Sequence, residues 1–285
     1  MARIYREWSS NYAFLVNNCE SLSCQKIRSL ASDFILSLDE DLRDELFDEL
    51  ERGTAILETE PQMQMYIYAY SQMHIAKLNI AYKQLVTKRP RFFKQGEDFC
   101  VIDYGCGQGL ATVALADFLR KNKIPIKIDQ VILIDASKKA LCRAALHVTK
   151  ALPNVEIKTV LNSFDDLEHD DLEYIEDHAG HKKLHILSNV LDMDEDDSQN
   201  LAELISSDDG YVRSIVCCSP FFGNYKDDYM EDFVKTICSD TFCKLLYDEQ
   251  FEMGEFPNND RWTANIKVIN SGMYTVFDFE DNDWV

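Results

Sequence analysis

The 285-residue sequence lacks any run of about 18 consecutive apolar residues, so no segment of it reads as a membrane-spanning helix and no membrane partner is expected. The stretch Met1 to Ser10 is polar and charged and has no apolar centre, which is not the pattern of a secretory signal. Internal repeats and low-complexity tracts are missing. The nine cysteines show no C-x-x-C pairing of the kind that holds zinc, so no metal site is expected from them. Cys217 and Cys218 are adjacent inside an apolar run, and the odd total among apolar neighbours reads as reduced thiols of a cytoplasmic protein. Positive charge is also scarce: 29 Lys+Arg stand against 50 Asp+Glu, a net charge of −21. The imbalance is local. Residues 1–90 hold 10 bases and 13 acids, whereas residues 91–285 hold 19 and 37. Such a field repels a phosphate backbone at long range, which disfavours nucleic-acid binding by the isolated chain.

What remains is a chain able to fold, since 46% of its residues are hydrophobic. Residues 1–87 read as an α-helical N-terminal region. In 25–51, Ile27, Leu30, Ile35, Leu36, Leu42, Leu46 and Leu50 recur near the helical period. Thr59-Glu60-Pro61 has the form of a helix start, with proline in the first turn. The helix predicted over 61–86 is apolar on more than one face, which implies packing on most sides. Within it Tyr66, Tyr70, His74 and Lys77 fall three or four apart. Lys88-Arg89-Pro90-Arg91 then forms a basic connector, read as a solvated linker whose following Phe92 and Phe93 dock on the next unit. The alternative is a patch touching RNA or DNA.

After residue 98 short β-rich runs alternate with helical ones. Strands are predicted at Phe99–Tyr104, Lys127–Ile134, Val155–Leu161, Lys183–Val190 and Val212–Cys218. Helices are predicted at Leu110–Lys121, Lys138–Ala151, Ser198–Ile205 and Tyr229–Cys238. This order gives an α/β fold with a parallel sheet covered on both faces. At the end, Trp262–Ile269 and Met273–Phe279 joined through Asn270-Ser271-Gly272 predict an antiparallel hairpin. The second unit therefore spans residues 88–285.

The chemistry lies at the end of the first strand. Asp103-Tyr104-Gly105-Cys106-Gly107-Gln108-Gly109 leads from that strand into a helix. Glycines at every second position allow a tight turn and let a ligand approach the backbone, and the helix start offers free N–H groups. Val101-Ile102-Asp103-Tyr104-Gly105-Cys106-Gly107-Gln108-Gly109 resembles motif I of class I S-adenosylmethionine-dependent methyltransferases. It departs from the dinucleotide fingerprint, whose glycines are more widely spaced. The resemblance implies a Rossmann-like methyltransferase sheet and S-adenosylmethionine as cofactor, with Asp103 near the amino-acid end of the ligand and Gly105, Cys106, Gly107 and Gly109 in the binding loop.

The resemblance also implies that Asp135, at the end of the second strand and followed by Ala136 and Ser137, accepts the ribose hydroxyls. The local alternative is that Asp135 or Ser137 caps the next helix. After the third strand, Asn162 or Asp165 would contact the adenine amino group and Phe164 would cover the ring. The fourth strand runs into Ser188-Asn189-Val190-Leu191-Asp192, so Asn189 is expected at the methyl-donor pocket. The acid or amide followed by Pro-Pro-aromatic, frequent in enzymes that methylate base amino groups, is missing there. Ser219-Pro220-Phe221-Phe222 follows the fifth strand and reads as a turn.

No catalytic residue is fixed by these motifs. His74, as a base on a helix closing over the donor, Asn189 and Asp192 are the candidates. Residues 165–177 and 192–209 each contain eight acids and no Lys or Arg, which predicts solvated surface or an acidic rim suited to a cationic substrate or a basic protein partner. Asp192 and Asp194 together would suit Mg²⁺, a weaker reading than surface. The leading functional expectation is methyl transfer to an unidentified acceptor. The alternative is a non-catalytic module that binds S-adenosylmethionine.

Overall fold

The computed structural model describes residues 11–94, 98–173, 182–192, 195–207, 212–221, 226–239, 243–253 and 262–271. Helix α1 covers 11–17, followed by α2 (Cys24–Ile35), α3 (Glu40–Asp48), α4 (Glu60–Lys88) and α5 (Pro90–Lys94). Alternation then begins: β1 (Phe99–Tyr104), α6 (Leu110–Lys121), β2 (Ile128–Ile134), α7 (Lys138–Ala151), β3 (Glu156–Val160), β4 (Lys182–Ser188), α8 (Glu195–Ser206), β5 (Val212–Phe221) and α9 (Lys226–Ile237). Strands β6 (Cys243–Met253) and β7 (Trp262–Ser271) follow. The sheet order is β3-β2-β1-β4-β5-β7-β6. The first five strands are parallel, and β7 lies antiparallel between β5 and β6. This is the expected α/β, Rossmann-like, mostly parallel sheet with a C-terminal antiparallel hairpin.

The central strands are buried along their length because both faces are covered. Alternate residues serve alternate faces. Phe99, Val101, Leu184, Val216 and Cys218 join one core with α6, α7 and the N-terminal helices. Cys100, Ile102, Tyr104, Ile215 and Cys217 join the other, with α8 and α9. Tyr12, Ile27, Ile67, Leu78 and Leu85 belong to the first of these cores, so the N-terminal helices are built into the sheet's own packing. A smaller cluster of Phe34, Ile35, Leu46, Leu50, Leu57, Met63 and Met65 ties α2, α3 and the start of α4 together. All nine cysteines are free thiols. No described helix is long and apolar enough to cross a membrane.

Helix α4 has 29 residues and starts at a capping box: Thr59 Oγ1 accepts from the Gln62 N–H, and Gln62 Oε1 accepts from the Thr59 N–H. Its buried positions run around the helix, as the pattern predicts. It stops at Arg89, whose backbone leaves the helical region (φ −131°, ψ 53°) because the next residue is proline.

Several expectations need correction. The periodic stretch 25–51 is two helices, because Asp39 caps a new start through its bond from the Leu42 N–H. The basic connector is no solvated linker: Arg89 is buried and Pro90 opens α5, while Phe92 and Phe93 do dock, against each other and Phe99. Ser219-Pro220-Phe221 is strand, not turn, paired with Asn265, Ala264 and Thr263 of β7. Beyond Cys218 β4 no longer accompanies β5, and proline is tolerated at such an edge. The strand Cys243–Met253 went unpredicted. It is the partner of β7, and the stretch Met273–Phe279 lies outside the described residues.

Candidate functional site

The loop from β1 to α6 is held in a left-handed backbone at three glycines, with φ of 55° at Gly105, 52° at Gly107 and 75° at Gly109. Side chains disfavour that region by about 1–2 kcal/mol. The three glycines differ in what surrounds them. A Cβ at Gly105 would strike Val190 Cγ1 at 2.5 Å and Phe164 Cζ at 3.2 Å. One at Gly109 would press on Ala144 of α7 at 3.1 Å. One at Gly107 would meet nothing within 4 Å. Two glycines thus exist for packing, and the middle one faces open space.

Asp135 extends from the end of β2 to this loop. Its Oδ2 accepts from the Gly107 N–H at 2.8 Å and its Oδ1 from the Ser137 N–H at 2.7 Å. Burial pushes its carboxyl pKa up, against these two hydrogen bonds. The cap of α7 is Ser137, whose hydroxyl accepts from the Ala140 N–H. Asp103 is more deeply buried. Its Oδ2 accepts from the Thr112 hydroxyl at 2.7 Å and the Thr112 N–H at 3.3 Å, which joins β1 to α6. Desolvation pushes its pKa up to about 7.

Second elements fix the loop from behind. His147 of α7 donates from Nδ1 to the Gln108 carbonyl at 2.8 Å, and its Nε2 accepts from the Tyr12 hydroxyl at 2.8 Å. Burial lowers the His147 pKa to about 3, so the ring is neutral and this tautomer satisfies both nitrogens. Gln108 Nε2 donates to the Met63 carbonyl, and Ser137 Oγ to the Leu57 carbonyl, so the N-terminal helices are wired to the same loops. Arg143 of α7 pairs with buried Glu60 and stacks 3.7 Å over the Tyr12 ring.

Helix α4 closes the front. Tyr66, His74 and Leu78 line a cavity with Asp103, Gly105, Cys106, Gly107, Gln108 and Asn189. Tyr66, Tyr70 and His74 form a ring cluster on the expected face, with centroids 5.2 to 6.3 Å apart. Asn189 follows β4 with φ 61°, a conformation asparagine tolerates better than most side chains. Its N–H bonds the Cys218 carbonyl, its Nδ2 donates to His74 Nε2 at 3.0 Å, and its Oδ1 accepts from the Lys77 ammonium. Lys77 is buried, and desolvation lowers its pKa to about 8, although the Cys218 and Asp192 side chains pull the other way. Burial, together with Lys77, holds the His74 pKa well below its ordinary value.

The cavity encloses about 40 Å³, room for little more than one water, whereas small-molecule sites span roughly 300–1,000 Å³. A nucleoside-sized ligand would therefore extend beyond this cavity as it stands. A larger hollow of about 390 Å³ lies between α8 and α9, lined by Asp196, Gln199, Tyr229 and Lys235 among others, and shares no residue with the loop. Its polar, open lining offers no glycine cradle, and the smaller cavity is the chemically organised one.

Of the residues picked out in the sequence, Asp103, Gly105, Cys106, Gly107, His74 and Asn189 line one cavity. Gly109 packs behind it, and Asp135 reaches it through Gly107. Phe164 adjoins Gly105. Asn162 is engaged by the Asp166 carbonyl and Asp171, Asp165 accepts from Asn200, and Ala136 is exposed; none of the three lines the cavity. Asp192 acts on Lys77 and Tyr66 through its charge. Asp194 lies outside the described residues. No cluster of metal-ligating side chains occurs among the described residues. Sequence reasoning missed the parts played by Lys77, Gln108 and His147. The i, i+4 and i+3 steps Tyr70–His74–Lys77 were the available signal for the first.

No protein-family profile matches the chain, and no curated protein matches it either. Solved structures do. A SAM-dependent methyltransferase from Methanosarcina mazei is 13% identical, aligned over 65% of this chain and 97% of its own, with a TM-score of 0.42. The N-methyltransferase NodS from Bradyrhizobium japonicum, solved with S-adenosyl-L-homocysteine, is 11% identical over 79% of this chain and 98% of its own, with a TM-score of 0.45. TrmK from M. capricolum, also solved with S-adenosyl-homocysteine, is 15% identical over 68% and 67%, with a TM-score of 0.39. These likenesses concern the fold alone, and function rests on the residues of the site.

Proposed function

We propose that the chain is a methyltransferase: it binds S-adenosylmethionine against the Gly105–Gly109 loop and passes the methyl group to an acceptor admitted beside Asn189 and α4. The observation that carries this reading is the contrast within the loop. Gly105 and Gly109 are packed against side chains, while Gly107 is left open with its N–H held by the Asp135 carboxylate. The residues present fit such a ligand. Gly107 offers a cradle that any Cβ would fill, and Asp135 keeps lone pairs free for ribose hydroxyls beyond its two backbone bonds. The buried Gln108 Oε1 has no hydrogen-bond partner among the described residues and is available to a donor group of the ligand. The amino-acid end would lie toward Asp103 and Gln108, and Phe164 beside Gly105 would flank the base.

When bound, the sulfonium supplies an activated methyl together with its own leaving group, so the protein's work is alignment and exclusion of water. Tyr66, His74 and Leu78 would form the wall that excludes water, with α4 as the lid and the region 1–87 as substrate selector. The acidic segments beyond β3 and β4 would favour a cationic acceptor or a basic protein partner.

Calorimetric titration of S-adenosylmethionine tests the reading. Asp135→Ala is expected to weaken binding by about 1.5–3 kcal/mol, the scale of a hydrogen bond to a charged group. Asp135→Asn should lose less. Wild-type affinity in the alanine variant, with a lowered melting temperature, would leave Asp135 a purely structural brace and remove the ribose contact. Tight binding without methyl transfer to any acceptor pool in extract would favour the non-catalytic module.

A further inference from the structure

Among the described residues the two most deeply buried lysines, Lys77 and Lys267, are provided for in opposite ways. Lys267 Nζ lies 2.7 Å from both Glu231 and Asp248. Lys77, 1% exposed, makes no ion pair among the described residues, and its ammonium is held by the neutral amide oxygen of Asn189. The groups around it are few. On its own helix His74 is neutral and Tyr66 is held protonated by burial. From β5 faces the Cys218 thiol, pushed up to about 12 and therefore uncharged at neutral pH. Among the described residues, Asp192 beyond β4 is the carboxylate whose charge acts on Lys77. Burial without a bonded counter-charge weakens the hold of the amine on its proton.

Asn189 lines the same cavity as Gly105 and Gly107, so a ligand seated on the loop meets the group that holds Lys77. Resting on the function read above, we propose that Lys77 gives up its proton when the cationic methyl donor binds and then acts as the base for the acceptor. The donor's positive charge is fixed in a sulfonium, which has no proton to lose. Two like charges in one water-poor site are relieved by the amine, the only one of the pair that can become neutral. On binding, the Nζ–H bond breaks, the proton passes to solvent, and the lone pair stays on nitrogen. In the transfer, the acceptor's proton bonds to Nζ, the acceptor's electron pair forms the bond to the methyl carbon, and the carbon–sulfur pair returns to sulfur. The proton lost to solvent offsets the charge that enters with the donor, and the acceptor's proton restores the Lys77 ammonium.

The proposal is tested without turnover, by calorimetry of the full chain in buffers of different ionisation enthalpy at pH 8. S-adenosylmethionine should release about half a proton per site, as expected for an amine half protonated at that pH, and S-adenosyl-homocysteine should release almost none. Lys77→Met should abolish the release; a release that persists in that variant would assign the proton to another group, such as Asp103 of the cavity lining, and overturn the proposal. Lys77→Arg, which cannot shed its charge, should bind S-adenosylmethionine at least about tenfold more weakly relative to S-adenosyl-homocysteine than wild type does. Binding of both ligands with equal, buffer-independent heats would overturn the role of Lys77 while leaving the binding loop intact. Failure of either ligand to bind wild type would sink the functional reading itself. The wild-type comparison of the two ligands stands even where a Lys77 variant does not fold.

Discussion

Gly107→Ala and Gly109→Ala make a matched pair, because both place a methyl group on a left-handed backbone and differ only in what the methyl meets. The shared conformational cost is about 1–2 kcal/mol. At Gly107 nothing is added, since the new Cβ has no neighbour within 4 Å. At Gly109 the Cβ would sit 3.1 Å from Ala144 Cα and 3.1 Å from Val148 Cγ2. A backbone atom of α7 would have to move, which adds the 1–3 kcal/mol or so typical of overpacking. Gly109→Ala should therefore lose about 2–5 kcal/mol and Gly107→Ala about 1–2 kcal/mol. For a chain of this size these correspond to roughly 10 °C and roughly 4 °C of melting temperature. Binding should order the pair the other way: calorimetry should find S-adenosylmethionine affinity lost in Gly107→Ala, whose methyl occupies the open cradle. Near-normal affinity in Gly107→Ala would refute the loop as the binding surface. Equal melting losses in the two variants would refute the assignment of Gly109 to helix packing.

Asp103 ionises near 3.8 in an unfolded chain and near 7 in the folded one. The folded state thus holds an extra proton between those values, and this group's contribution to stability falls as pH rises from about 4 to about 7. Asp103→Asn keeps an acceptor for Thr112 without the charge, so its melting temperature relative to wild type should be higher at pH 8 than at pH 5; a constant difference would contradict the buried-acid reading. Arg143→Met leaves Glu60 buried without its partner and should cost about 3–5 kcal/mol by denaturant unfolding, partly recovered in the Glu60→Gln, Arg143→Met double variant. The purified chain should bind labelled single- and double-stranded oligonucleotides poorly at about 0.15 M salt; sub-micromolar binding would overturn the charge argument and bring nucleic acid forward as acceptor.

Elements with a strong period and clear punctuation were legible from sequence. The strand Phe99–Tyr104 and the helices Leu110–Lys121 and Lys138–Ala151 have the boundaries their patterns give. Strand β6 was not, because Asp248, Glu249, Gln250 and Glu252 place polar side chains where a buried strand would carry apolar ones. It is an edge strand, and its residues between Cys243 and Glu252 are partly exposed or exposed. Pro220 was read as a turn because proline breaks central strands, and only the pairing map reveals that β5 has an unaccompanied end there. In the site, the glycine loop and Asp135 were legible from local spacing. Lys77 was not, since its meaning depends on Asn189, 112 residues away in sequence, and on the lack of a bonded carboxylate among the described residues. The bracing of the loop by His147 and Tyr12, 135 residues apart, was hidden for the same reason.

Helix α4 is finished in sequence at Lys88, yet part of its seat is β7, which starts at Trp262 and shares a core with Ile67, Leu78 and Leu85. At synthesis rates of about 5–20 residues per second, roughly 9–35 s separate the two during translation. A helix apolar on most sides therefore waits beside the ribosome for a partner made 174 residues later (262 − 88). Throughout that interval the side of the helix that β7 will cover is open to a chaperone or a neighbouring polypeptide. A chain halted before Trp262 leaves that helix without the strand it was shaped to meet.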